Sequence, residues 1–184
     1  MRRSFLIAAV VTTMGTLPGC GSGTGGSSAP TPSASHRVTV TSSAFAENGT
    51  IPRRYTCDGE DVSPPLAFSG VPADTTGLVL VVADPDAPRG TFTHWLMWDI
   101  GPRTTELPAG RVPPGAVQGR NGFGKTGYGG PCPPRGDKPH HYAFSVYAAD
   151  RRPDLAPDAT LDDVRRALAG HTLAVGTLTG RYGR

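Results

Sequence analysis

Two segments in the middle of the chain carry the side chains best suited to chemistry. The first is Asp84-Pro85-Asp86-Ala87-Pro88 running into Thr93-His94-Trp95, and the second is Gly130-Pro131-Cys132-Pro133-Pro134-Arg135-Gly136 running into His140-His141-Tyr142. Together they can gather two carboxylates, two imidazoles and a phenol beside a proline-stiffened loop. Imidazole N–H and phenol O–H groups donate hydrogen bonds to oxyanions, and ionised carboxylates orient imidazoles by accepting from them. The same oxygen and nitrogen set could also ligate zinc.

The elements that position these groups read as strands. β-rich runs span Arg37 to Thr41, Leu78 to Asp84, Thr91 to Ile100, His141 to Ala148 and Thr172 to Leu178, separated by clusters of Gly and Pro. Residues two apart on a strand share a face. Alternation therefore places Phe92, His94, Leu96, Trp98 and Ile100 together, and groups His140, Tyr142, Phe144 and Val146 while sending His141 to the other side. If the ends of these two strands are neighbours, His94, His140 and Tyr142 meet at the rim of one sheet. Asp84 and Asp86 end an apolar run, Leu78 to Ala83. There Pro85 and Pro88 fix φ and remove two backbone donors, so the chain leaves regular pairing while staying stiff. The plainer reading of either Asp alone is a turn residue bonding its own backbone.

One segment reads as a helix, Leu161 to Ala169, with Leu161, Val164 and Leu168 on one face. Thr160 and Asp163 have the spacing of a capping box, and Gly170 supplies the left-handed stop. The glycine-rich stretch Gly122-Phe123-Gly124-Lys125-Thr126-Gly127 formally matches a dinucleotide fingerprint. No apolar strand leads into it, and Pro131, Pro133 and Pro134 forbid the helix that must follow, so it reads instead as a loop able to approach an anion or cover a pocket.

The ends of the chain speak of export. Arg2 and Arg3 precede an apolar run from Phe5 to Val11, closing at Leu17-Pro18-Gly19-Cys20, the pattern of a lipoprotein signal peptide. The run is too short to span a bilayer core of about 30 Å. Residues 1–19 are expected to be removed and Cys20 to carry lipid. Residues 20–36 are then a linker of Gly, Ser, Thr, Ala and Pro, with a reach of roughly 20 Å, and 37–184 form the domain. This places the protein on the outer side of the cytoplasmic membrane or in the periplasm.

The formal charge of +3 comes from 18 basic and 15 acidic residues, and loss of Arg2 and Arg3 leaves a nearly neutral domain. No basic, aromatic-laced stripe argues for nucleic acid. With Cys20 committed to lipid, Cys57 and Cys132 remain as one expected disulfide in an oxidising compartment.

Taken together, Ser63-Pro64-Pro65-Leu66, Asp84 to Pro88, His94-Trp95, Tyr128 to Gly136 and His140 to Tyr147 resemble the phosphatidylethanolamine-binding protein family, in its bacterial branch similar to Raf kinase inhibitor protein. The likeness runs from about Val38 to Tyr182. It implies a mainly β fold in which a large antiparallel Greek-key sheet packs on a smaller one, with one short helix near the C-terminal end. It also implies a pocket lined by Asp84, Asp86, His94, His140 and Tyr142, with Pro88 shaping its wall and the backbone at Cys132 facing the ligand. Set against the mammalian pattern, the C-terminal helix that flanks the pocket there is expected to be absent after the strand near Leu178.

In such a pocket Asp84 and Asp86 would orient His94 and His140, or hold an ammonium group. The expected function is capture of a phosphate-bearing small molecule or phospholipid head group by a protein held to the membrane through Cys20. No nucleophile elbow or metalloprotease signature appears, so no catalytic residue, metal or cofactor is assigned. The competing readings are a metal-dependent hydrolase built on the same Asp and His cluster, and an inhibitor or scaffold acting on an envelope protein.

Overall fold

The computed structural model describes residues 36–184. The expected signal peptide, the lipidation site Cys20 and the linker up to Ser35 lie outside the described residues. Nine strands and one α-helix follow in order among the described residues, with a single 3-10 turn at Arg53–Tyr55: β1 His36–Arg37, β2 Thr39–Thr41, β3 Leu66–Ser69, β4 Gly77–Asp84, β5 Phe92–Ile100, β6 Glu106–Leu107, β7 Val117–Gln118, β8 His140–Ala149, α1 Leu161–Leu168 and β9 Thr172–Tyr182. Six strands form one sheet in the order β1-β9-β8-β4-β5-β7, and β2-β3-β6 form a second. The large sheet is antiparallel except at its edge, where β1 runs parallel to β9.

The run expected as one strand from Arg37 to Thr41 is divided between the sheets. Val38, buried at the division, lets β1 pair with β9 and β2 with β3. This crossing depends on Gly176, because a Cβ there would lie 1.9 Å from the Val38 carbonyl oxygen.

β4 lies inside the sheet between β8 and β5 and is buried on both faces, as its unbroken apolar run requires. One face of the large sheet and the small sheet enclose a core that includes Leu78, Leu80, Trp95, Met97 and Phe144. The other face packs Val79, Val81, Leu96 and Trp98 beneath α1, through Val164 and Leu168. The helix starts at a complete capping box between Thr160 and Asp163, and Gly170 takes φ 75° just beyond its end.

β5 departs from simple alternation, and the departure matters for the site. Its register with β4 passes from Trp95 opposite Val82 to Thr93 opposite Ala83, so His94 is an extra residue in the ladder. A second irregularity spans Trp98 and Asp99, where Asp99 takes φ 56°. Each extra residue inverts the phase of the side chains that follow. The expected common face of Phe92, His94, Leu96, Trp98 and Ile100 is therefore corrected. Leu96 and Trp98 face α1, Ile100 joins Trp95 and Met97 in the inner core, and His94 turns toward Tyr142 of β8.

Candidate functional site

β4 ends where β8 begins, so Asp84 and His140 are brought together at one end of the large sheet. Asp84 Oδ2 accepts from His140 Nδ1 at 2.8 Å, and both side chains are almost wholly buried. Because a carboxylate only accepts, Nδ1 carries the proton and Nε2 is the free edge of the ring. That edge lies 3.8 Å from Asp137 Oδ2. The second Asp84 oxygen accepts from the Asp86 backbone N–H at 2.8 Å, which ties the carboxylate to the proline turn that follows β4.

His94 is held differently. Its Nδ1 donates to the Gly129 carbonyl at 2.6 Å, and the Gly129 N–H returns a bond to the His94 carbonyl. The ring stands edge-on to Tyr142 and is flanked by Phe92 and Phe123, with centroids 5.1 to 5.6 Å away. Burial pushes the His94 pKa below the ordinary histidine value. The Gly129 carbonyl and the Asp84 charge act in the opposite direction without reversing the shift.

Asp84, Pro88, His94, Cys132 and His140 line one cavity of about 640 Å³. Its walls are completed by residues that the sequence did not single out as ligand contacts, notably Arg89, Phe92, Phe123 and the prolines 133 and 134. Phe92 had a signal in the strand alternation. Arg89 had only its place beside Pro88.

Two expected site residues lie elsewhere. Asp86 Oδ2 accepts from both the His141 backbone N–H, at 2.8 Å, and His141 Nδ1, at 2.7 Å, in a pair open to solvent. These bonds lower the Asp86 pKa. Asp86 therefore orients His141, and the His94 partner expected for it is the Gly129 carbonyl. It follows that Asp84, Asp86, His94 and His140 do not converge as one ligand set, and among the described residues no group of three or more His, Cys, Asp or Glu is placed to hold a metal. Tyr142 does not line the cavity but packs in the core against the edge of the His94 ring: its side chain is fully buried, and its hydroxyl has no hydrogen-bond partner among the described residues. Burial and the nearby Asp84 raise its pKa far above the ordinary tyrosine value, so it stays a neutral O–H group.

The loop that carries the second segment is fastened from behind. A disulfide joins Cys57 to Cys132, the Cys57 N–H donates to the Pro131 carbonyl, and the Tyr128 hydroxyl donates to the Tyr55 carbonyl. β9 continues past Leu178 to Tyr182, whose hydroxyl donates to Asp58, and Arg184 binds Asp58 and the Pro133 carbonyl. The end of β9 thus braces the loop that walls the cavity.

With this geometry in hand, comparison with known proteins gives a consistent answer. A family model described as phosphatidylethanolamine-binding protein matches residues 41–183. A UPF0098 protein of Pyrococcus horikoshii is 48% identical over 150 residues, which is 78% of this chain and 75% of that one. "Putative lipoprotein LppC" of Mycobacterium tuberculosis is 35% identical over 199 residues, 98% of each chain. Among solved structures, a phosphatidylethanolamine-binding protein homologue from Chlamydia trachomatis aligns with TM-score 0.76 at 38% identity, over 82% of this chain and 99% of that one. YbcL of Escherichia coli, described as a member of the mammalian PEBP family, aligns with TM-score 0.76 at 34% identity, over 80% and 99%. The chain belongs to the phosphatidylethanolamine-binding protein family.

Proposed function

We propose that this chain is an exported, lipid-anchored binding protein that captures a phosphate-bearing small molecule or phospholipid head group in the cavity between Asp84 and His94. The observation that carries this reading is the pair of buried imidazoles. His94 and His140 each commit Nδ1 to the protein and leave Nε2 as the edge available to a ligand in a shared cavity. Protonated Nε2 groups donate to phosphate oxygens, and Arg89 adds a cation to the lining. A neutral ring with a bare Nε2 accepts instead, so a protonated phosphate oxygen can bond it directly.

The anchor reading rests on the leader ending at Cys20 and on the likeness to the Mycobacterium tuberculosis protein, which extends over nearly the whole chain. It locates the protein at the membrane, outside the cytoplasm.

Calorimetric titration with inorganic phosphate, phosphoethanolamine and vesicles bearing phosphatidylethanolamine separates the possible sources of the ligand. Binding that is lost in both His94→Ala and His140→Ala, with folding retained, supports the reading. Absence of heat for all three ligands at millimolar concentration, or binding untouched by both substitutions, overturns it.

A further inference from the structure

The two imidazoles differ in an instructive way. His140 bonds a carboxylate directly, whereas His94 bonds a peptide carbonyl. That carbonyl belongs to the peptide joining Gly129 and Gly130, and the N–H of the same peptide donates to Asp61 Oδ1 at 2.7 Å. We infer that Asp61 is a positioning residue for His94, acting through the Gly129–Gly130 peptide much as Asp84 acts on His140 by contact.

The physical basis is the polarisation of one peptide unit. A carboxylate accepting the N–H draws negative charge onto the carbonyl oxygen, which strengthens the bond from His94 Nδ1 and favours the tautomer with Nε2 free. The Asp61 charge also acts to raise the His94 pKa against the effect of burial.

Several features distinguish this contact from an ordinary turn bond. It links positions 69 residues apart, whereas a turn aspartate bonds its own neighbours. Asp61 holds a left-handed backbone, φ 56°, to make it. Gly130 allows the approach, since a Cβ there would lie 2.6 Å from Asp61 Oδ1 and 2.7 Å from the Tyr55 carbonyl oxygen.

The inference deepens the anion-binding reading and rests on it for its functional meaning, but its test does not require a ligand. The groups that bear on His94 are Asp84, His140 and Arg89 around the cavity, Tyr142 on its ring edge and Asp61 behind the peptide. Ring nitrogen shifts of 15N-histidine-labelled full-length protein are to be followed against pH without any anion, in wild type, Asp61→Asn and Asp61→Ala. Asn keeps an oxygen acceptor for the Gly130 N–H without the charge, so it also serves as the variant that retains the fold if Ala does not.

The expected result is a His94 ring protonated at Nδ1 in wild type. In Asp61→Asn its titration midpoint is lowered by about 0.5 to 1 pH unit, while the His140 shifts stay in place as the internal control. Inorganic phosphate then binds Asp61→Asn about threefold to tenfold more weakly at pH above the wild-type midpoint, and equally well on the acid side of both midpoints. Unmoved His94 nitrogens in both variants overturn the inference. Wild type that fails to bind phosphate while Asp61→Asn still shifts His94 overturns the functional reading and leaves this one standing.

Discussion

At the scale of single residues, the site works by controlling where protons sit. Burial lowers the His94 pKa, and with Nδ1–H committed to the Gly129 carbonyl, donation to an anion from Nε2 needs a protonated ring, so the proposed anion binding takes up a proton. Affinity for inorganic phosphate is therefore expected to rise as pH falls through the neutral range, measured by calorimetry in buffers of different ionisation enthalpy. The same shift sets a stability trend. An unfolded histidine protonates near 6.5, whereas the folded ring resists it, so the unfolded state binds more protons below that value. The urea midpoint should stay level above pH about 6.5 and decline as pH falls toward the folded pKa, and His94→Gln should remove that part of the decline. Tyr142 gives a separate expectation. Its buried hydroxyl lacks a partner among the described residues, so Tyr142→Phe should stabilise by about 1 kcal/mol, raising Tm by about 2 to 4 °C. An unchanged or lower Tm would mean that the hydroxyl is satisfied.

At the scale of elements, β4, β5 and β8 do the positioning. β8 was legible from the sequence because its alternation is unbroken, which places Tyr142 in the core and His141 outside. β5 was not, because a bulge depends on the register of the partner strand and leaves no mark in the period of one segment. The inserted His94 re-aims a ring toward the cavity, and the second bulge restores Ile100 to the core. The short strands β3, β6 and β7 were equally silent, being two to four residues long among turn residues. Asp86 was placed beside Asp84 by the family resemblance, and the residues alone could not say where it turns, because β4 stops at Asp84 and the Asp86 carboxylate bonds His141. Asp86→Asn should therefore cost little phosphate affinity, whereas Asp84→Asn should weaken it about tenfold or more by loosening His140. Equal losses in titrations of the two variants would contradict this division.

At the scale of the whole molecule, the cavity and the point where the described chain begins lie at opposite ends of the large sheet. His36 pairs with Ala174 and Ala174 with Ala148, while His140 pairs with Tyr182. The point where the described chain begins therefore lies near the far end of β8 from the cavity, about 30 Å away along the strand. The disulfide belongs to this scale as well, because it joins the turn after Tyr55 to the loop walling the cavity. Its reduction should cost about 4 kcal/mol in the chain-entropy view and broaden the His94 signals, both readable in urea and NMR titrations with and without reductant.

The account turns on two imidazoles sharing one anion. The most direct measurement is a titration of 15N-histidine-labelled protein with phosphoethanolamine at pH 6. Joint movement of the His94 and His140 ring nitrogens along one saturation curve, with His171 unmoved, is the expected result. Still spectra at millimolar ligand, or movement of only one of the two rings, would contradict it.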